Sequence, residues 1–224
     1  EECTNKIHQL LPILASRKNK SLLDELTHGC EVLDSKPDTV EAFVEFNAFH
    51  NQMETRLEDL KVDYEVLKDL IVLMGDEKVD FSQEDDDLYQ NGTKKKMERL
   101  CQLITFVEEN KESDMRHFSE DISEQLTKLT VELQDIAEES KDSMIEDEEA
   151  EQDRVIAFLE ALEERIDRCA AREKELCCFQ GQFGYDTTPI DEMDDQVWNI
   201  KSKVLLWTKL KEWEKITTEW CKTD

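Results

Sequence analysis

Five glycines and three prolines in 224 residues constrain this chain more than any motif it carries. Sandwiches, barrels and doubly wound sheets consume tight turns, and tight turns consume glycine and proline. A chain this poor in both is left with long helices. Its length can bury a sizeable core without disulfides or metals. The spacing of apolar residues therefore predicts an all-α protein, an elongated bundle of long antiparallel helices.

The first segment, residues 1–36, repeats apolar residues at helical intervals from Ile7 to Val32, interrupted by Arg17–Lys20. One or two helices fit it. Ser35-Lys36-Pro37-Asp38 is a break, with Asp38 and Glu41 spaced as a capping pair. From Val40 a stripe of Phe43, Val44, Phe46, Phe49, Met53, Leu57, Leu60, Tyr64, Leu67, Leu70, Ile71 and Met74 predicts one long helix stopping at Gly75. A short acidic connection follows, with a helical turn from Ser82 or Gln83 to Leu88 and punctuation at Asn91-Gly92. Met97, Leu100, Ile104 and Val107 lead into Met115, Phe118, Ile122, Leu126, Leu129, Leu133 and Ile136, a near-heptad pattern of helices packing side by side. Between Glu138 and Asp153 nine acidic residues face one lysine, which predicts a solvated loop or frayed end. A further helix runs from Val155 to Leu176 and ends around Gly181 and Gly184. Pro189 is expected to open the last helix.

Charge removes whole classes of partner. Fifty-six acidic against 28 basic residues give a net charge of −28, which opposes binding to nucleic acid or to an anionic membrane surface. No stretch approaches the roughly 18 apolar residues of a membrane span. Seven cysteines, Cys3, Cys30, Cys101, Cys169, Cys177, Cys178 and Cys221, show no CxxC spacing and read as reduced thiols, most of them filling helix faces. Adjacent Cys177 and Cys178 diverge by about 100° on a helix and do not close a tetrahedron with Cys169 or Cys221. His8, His28, His50 and His117 are scattered and read as ordinary surface or helix histidines. The carboxylate runs Glu84–Asp87 and Glu146–Glu149 lack the spacing of a calcium loop. Asn91-Gly92-Thr93 is a formal glycosylation acceptor without meaning for a reduced protein. No catalytic, cofactor-binding or metal-ligating residue is assigned, and no tight calcium or zinc binding is expected.

The last helix is different in kind. At 100° per residue, Val197, Ile200, Val204 and Trp207 cluster on one side, and Leu206, Leu210, Trp213, Ile216 and Trp220 cluster roughly half a turn away. A helix that swaps its apolar face serves two packed units, which puts a junction near residue 205. The second group is the predicted interdomain or partner face. The expected segments are 1–36, a helical N-terminal piece; 37–180, a bundle; and 181–224, a junction with a helix bridging to a following domain. A start at Glu-Glu-Cys and an end inside a helix are those expected of a piece of a longer protein.

The stretch FGYDTTPIDEMDDQVWNIKSKVLLWTKLKEWEKITTEW, carrying Phe183-Gly184-Tyr185, Ile190, Val197, Leu206-Trp207, Trp213 and Trp220, resembles the start of the linker region of dynein heavy chains. Upstream, PDTVEAFVEFNAFHNQMETRLEDLKVDYEVLKDLIVLM is similar to a tail helix of axonemal dynein heavy chains, and VDFSQEDDDLYQ to the connection after it. Phe118, Ile122 and Leu129 match the spacing of the next long helix. Glu138–Asp153 departs from the pattern, being more acidic and lacking a Gly-Pro pair. The resemblance covers 37–224, with 1–36 compatible. It implies the end of the tail and first linker helix of an ATP-driven, minus-end-directed microtubule motor, in the cytoplasm and the axoneme of cilia or flagella. The Phe-Gly junction leans toward inner-arm, single-headed forms. ATP and Mg would belong to the parent's ring, beyond residue 224. Implied partners are dynein intermediate and light chains, other heavy chains, docking factors, and the downstream linker and ring.

Two other readings of the same residues remain. A free-standing spectrin-like or coiled-coil cytoskeletal scaffold or adaptor would have to bury Trp213 and Trp220 within itself or in a homodimer. All four tryptophans lie after residue 197, whereas spectrin repeats carry one in each copy. An acidic chaperone for basic proteins would rest on net charge alone.

Overall fold

The computed structural model describes residues 2–147 and 149–221, with side chains from Lys6 onward. Among these residues there is no strand. The helices are α1 (Glu2–Leu33), α2 (Val40–Asp76), α3 (Gln83–Asp87), α4 (Lys94–Glu139), α5 (Ser143–Glu146), α6 (Gln152–Gln182) and α7 (Met193–Cys221). A π-helical turn, Leu88–Thr93, joins α3 to α4 without a break. The chain divides into two compact units, Glu1–Phe118 and Ser119–Asp224, and the division falls inside α4. Residues 36 and 37 lie in the α1–α2 connection, and residues 180 and 181 lie within the last turn of α6.

In the first unit α1 runs antiparallel to α2. Polar contacts show the direction: His8 Nε2 lies 3.5 Å from Glu77, and Lys18 pairs with Asp63 at 2.7 Å and Arg56 with Glu25 at 3.0 Å. The first half of α4 returns beside both. The core is built from Leu22, Leu26, Leu60, Leu67, Met74 and Leu100, all 4 % exposed or less. Gly29 shows how closely the three helices approach, since a Cβ there would meet Met53 Cε at 3.0 Å and Leu100 Cδ1 at 3.1 Å. Phe43 of α2 stacks on Phe118 of α4 with centroids 4.4 Å apart.

Several local expectations shift. The first segment is one helix, with Pro12 inside it, and within Arg17–Lys20 the inward position is held by the buried Asn19. The cap of α2 is Thr39 rather than Asp38; its extended backbone lets its hydroxyl accept from the Ala42 amide at 3.2 Å. The stop comes after Gly75. Lys78 takes the left-handed position (φ 52°), and the Val79 amide donates to the Met74 carbonyl in a Schellman closure. Asn91-Gly92 is no break: the helix passes through it as the π turn. Glycine lets Leu23 pack closely there, since a Cβ would meet its methyl groups at 3.2 Å. The π turn also aims Thr93 inward, where its hydroxyl donates to Asn19 Oδ1 at 2.6 Å and both residues are fully buried.

The second unit packs the second half of α4 against α6 and α7. On α6 the buried positions are Val155, Leu159, Leu162, Ile166, Cys169, Glu173, Leu176 and Gln180, alternating by four and three throughout. That is the period of a left-handed coiled-coil seam. They meet Leu133, Ile136, Met193, Ile200 and Trp207. The acidic 138–153 stretch is shorter as a loop than expected. Ile145 of α5 is buried in this core and pins it, though Glu148 lies outside the described residues.

Two polar seam residues of α6 organise the turn into α7. Glu173 Oε1 accepts from the Ile190 amide. Gln180 Oε1 accepts from the Thr188 amide at 2.9 Å. Gly184, at φ +76°, supplies the left-handed closure of α6. Pro189 does not open the last helix; α7 begins at Met193, after a turn in which the Met193 amide donates to the Ile190 carbonyl.

Each unit thus uses three helices, up, down and up, and α4 supplies the third of the first unit and the first of the second. Truncating buried seam residues should open cavities. Phe118→Ala should cost about 3–5 kcal/mol and Leu162→Ala about 2–5 kcal/mol, with Leu129→Ala costing less because Leu129 is only half-buried. Urea denaturation followed by circular dichroism checks the order. Unchanged midpoints for Phe118→Ala and Leu162→Ala would mean the seams do not carry the fold.

Candidate functional site: the outer face of the last helix

Helix α7 has one face in the bundle. Ile200 is fully buried, Trp207 and Met193 nearly so, and Val197 and Val204 are half-buried against the same core. Polar pairs fix its direction along α6. Lys201 meets Asp167 at 2.9 Å and Lys211 meets Asp153. Lys203 donates to the Ser140 carbonyl just past the end of α4, where a cation suits the unsatisfied carbonyls.

Asp153 is only the second residue of α6, so α7 outruns its partner. Residues 212–221, about 15 Å of helix, extend past the start of α6, and all but the half-exposed Thr217 are open to solvent. The five residues assigned to a partner face are all exposed: Leu206 66 %, Leu210 40 %, Trp213 60 %, Ile216 42 % and Trp220 68 %.

Two members were missed. Trp198 and Leu205 are also exposed and lie on the same side. Trp198, Leu205, Trp213, Ile216 and Trp220 fall within about 80° of the helix surface, and Leu206 and Leu210 widen the stripe to about 140°. The outer stripe therefore does not start near residue 205. It runs alongside the bundle face from Trp198 onward, so the first half of α7 is apolar on two sides at once. The signal was in the sequence: Trp198 lies about 100° around the helix from Val197 and about 160° from Ile200, in phase with Trp213 and Trp220. An exposed apolar stripe of this size, three tryptophans included, is the kind of patch that marks an interaction surface.

The thiols do not converge. Cys30 and Cys169 are buried, Cys101 and Cys177 are half-buried, and Cys178 and Cys221 are exposed, so helix-face filling describes four of them and not the last two. Cys3 lies among the residues whose side chains are not described. Burial pushes the thiols of Cys30 and Cys177 up, and burial together with neighbouring Glu132 pushes Cys169 up to about 11. Of the histidines, His28 and His117 are exposed and His8 half-buried, but His50 is fully buried. The carboxylates of Glu84–Asp87 serve local structure: Asp85 accepts from Ser16 and Ser82, whose hydroxyls, Ser82 first, hold it below the usual carboxylate range.

No protein-family model matches the chain. It is 22 % identical over 221 residues to dynein axonemal heavy chain 6 of Homo sapiens, an alignment covering 99 % of this chain and 5 % of that protein. The chain therefore spans about a twentieth of the relative's length. The similarity to a small part of an axonemal dynein heavy chain is distant, and it runs through both helical units rather than through one. No helix among the described residues is long and apolar enough to cross a membrane.

The two faces of α7 should be separable by a quencher. Acrylamide should reach Trp198, Trp213 and Trp220 and spare Trp207. In single-tryptophan variants, a Trp207 quenching constant as large as that of Trp213 would overturn the assignment of faces.

Proposed function

We propose that this chain is a non-catalytic tail or neck segment of an axonemal dynein heavy chain, a force-transmitting helical scaffold whose last helix begins the linker. The observation that carries this reading is the overhang of α7. A helix anchored at one end by Ile200 and Trp207 projects a tryptophan stripe beyond its own bundle. A junction between two packed units needs that shape. The distant similarity along 221 residues supports the same parent.

The role is mechanical. Long helices packed along heptad seams transmit displacement where a flexible linker absorbs it. The outer stripe of α7 packs on the following linker of the same parent. Intermediate or light chains, neighbouring heavy chains or docking factors bind the tail side, in the axoneme of cilia or flagella. ATP and Mg act in the parent's ring. In this reading hydrolysis belongs to the ring of the parent, since the sequence of this chain carries no glycine-rich phosphate loop.

One structural observation favours a second reading. The up-down-up helices of both units, with α4 passing from one to the next, are also the arrangement of a spectrin-like scaffold. Such a scaffold would use the α7 stripe for association between copies.

A double substitution separates the two. Trp213→Glu with Trp220→Glu should leave the denaturation midpoint of the chain nearly unchanged, because neither side chain is in its core. In the parent heavy chain it should uncouple ATP turnover from microtubule gliding while turnover persists. If the only effect is loss of a dimer, with gliding intact, the scaffold reading replaces the motor one. If the chain unfolds, the stripe belongs to its own core and both readings fail.

A further inference from the structure

A different observation, independent of the dynein reading, concerns the seam of α2. Its positions alternate by three and four through Phe43, Phe46, His50, Met53, Leu57, Leu60, Tyr64, Leu67, Ile71 and Met74. His50 is thus a core position occupied by an imidazole, at 0 % exposure. Its Nε2 lies 3.3 Å from the Ile104 carbonyl of α4, an acceptor only. Nε2 must therefore carry a proton and donate, which leaves the Nδ1 lone pair as the free end of the neutral ring. That Nδ1 has no hydrogen-bond partner.

What faces Nδ1 is acidic. Glu108 Oε2 of α4 stands 4.0 Å away. Glu54, one turn beyond His50 on α2, completes a group whose ligand atoms all lie within 4.8 Å of one another. Three acceptors converge there without a donor among them. Lys111 is the neighbouring cation: its Nζ is 3.2 Å from Glu108 Oε2 and 3.4 Å from Asn51 Oδ1, and it leaves Nδ1 unpaired. The Glu108 oxygen that faces Nδ1 is the one that holds the ammonium, so a cation bound there requires Lys111 to shift to the other oxygen or to withdraw.

We propose that His50, Glu54 and Glu108 form a zinc-class divalent metal site that ties α2 to α4, with water filling the solvent-facing position. The chemistry of the donors selects the metal. One imidazole nitrogen with two carboxylates suits zinc and its first-row neighbours, whereas magnesium and calcium take oxygen ligands. Metal–ligand bonds of about 2.0–2.2 Å place tetrahedral donors roughly 3.3 Å apart. The carboxylates, both on exposed residues, have to close by about an ångström, which their side-chain torsions permit without moving a helix. The Ile104 carbonyl then acts as the outer partner that fixes ring orientation and tautomer. The expectation of no tight zinc binding rested on spacing along the chain. This group is assembled across two helices, and only His50 and Glu54 are neighbours in sequence.

The test is zinc titration of the chain with its exposed thiols, Cys178 and Cys221 among them, first alkylated. It is read by the 15N resonances of the His50 ring and by the melting temperature. The wild type should show a saturable shift of Nδ1 at one zinc per chain and a rise in Tm, and magnesium should produce neither. Glu54→Gln and Glu108→Gln should each weaken binding by roughly tenfold or more, with the metal-free Tm little changed. His50→Gln keeps a donor for the Ile104 carbonyl and should abolish the site. If that variant does not fold, the two Glu variants decide. The proposal is overturned if His50 Nδ1 does not respond up to about 1 mM zinc, if Nδ1 is protonated throughout as an imidazolium paired with Glu108, or if both Glu variants bind as the wild type does.

Discussion

Everything in this protein depends on burying apolar side chains at three- and four-residue intervals along helices of 29 to 46 residues. There is no sheet among the described residues to fix register, and a net charge of −28 works against compaction. The seams must supply the favourable term, and burial of a Leu or Ile side chain contributes about 1.5–3 kcal/mol. On α6 the buried positions keep the alternation from Val155 to Gln180 without a slip. In the first unit the same logic brings α1 so close to its neighbours that a methyl group at Gly29 would press on Met53 Cε and Leu100 Cδ1 at 3.0–3.1 Å. Surface ion pairs such as Lys61 with Glu58 add little beside this, since both partners are exposed.

The polar residues that interrupt the seams do specific jobs. Asn19 and Thr93 bond to each other inside the first unit, and the π turn exists to aim Thr93 there. Glu173 and Gln180 occupy α6 seam positions where a leucine would bury more area. They accept instead from the amides of Ile190 and Thr188, and so hold the connection that launches α7. A buried polar side chain costs stability unless partnered, which makes such contacts selective for one arrangement of the chain. His50 is the exception, satisfied at one nitrogen only.

Periodicity made the helices legible, and with them the all-helical class and the outward placement of Leu206, Leu210, Trp213, Ile216 and Trp220. Local chemistry was legible less well. Asn91-Gly92 reads as a turn in one dimension, but its glycine answers a close approach by Leu23, seventy residues away. Ile145 looks like one apolar residue adrift in an acidic run until α6 and α7 give it a core. Trp198 shares the phase of Trp213 but precedes residue 205, where the opposite side of α7 is the buried one, so it stands outside the expected partner face. His50 fits the α2 heptad perfectly in spacing and was passed over because it is not apolar. Its acidic neighbour Glu108 comes from another helix, which no local spacing reveals.

The account turns on α7 having one face for this bundle and another for a second packed unit. Hydrogen–deuterium exchange of the chain alone and within the dynein heavy chain proposed as its parent tests that directly. Amides across residues 155–176 should be protected in both, being held along the α6 seam. Amides across 212–221, where α7 runs past α6, should exchange rapidly in the isolated chain and become protected in the parent. Equal and rapid exchange of that segment in both settings would contradict the account, because nothing would then cover the tryptophan stripe.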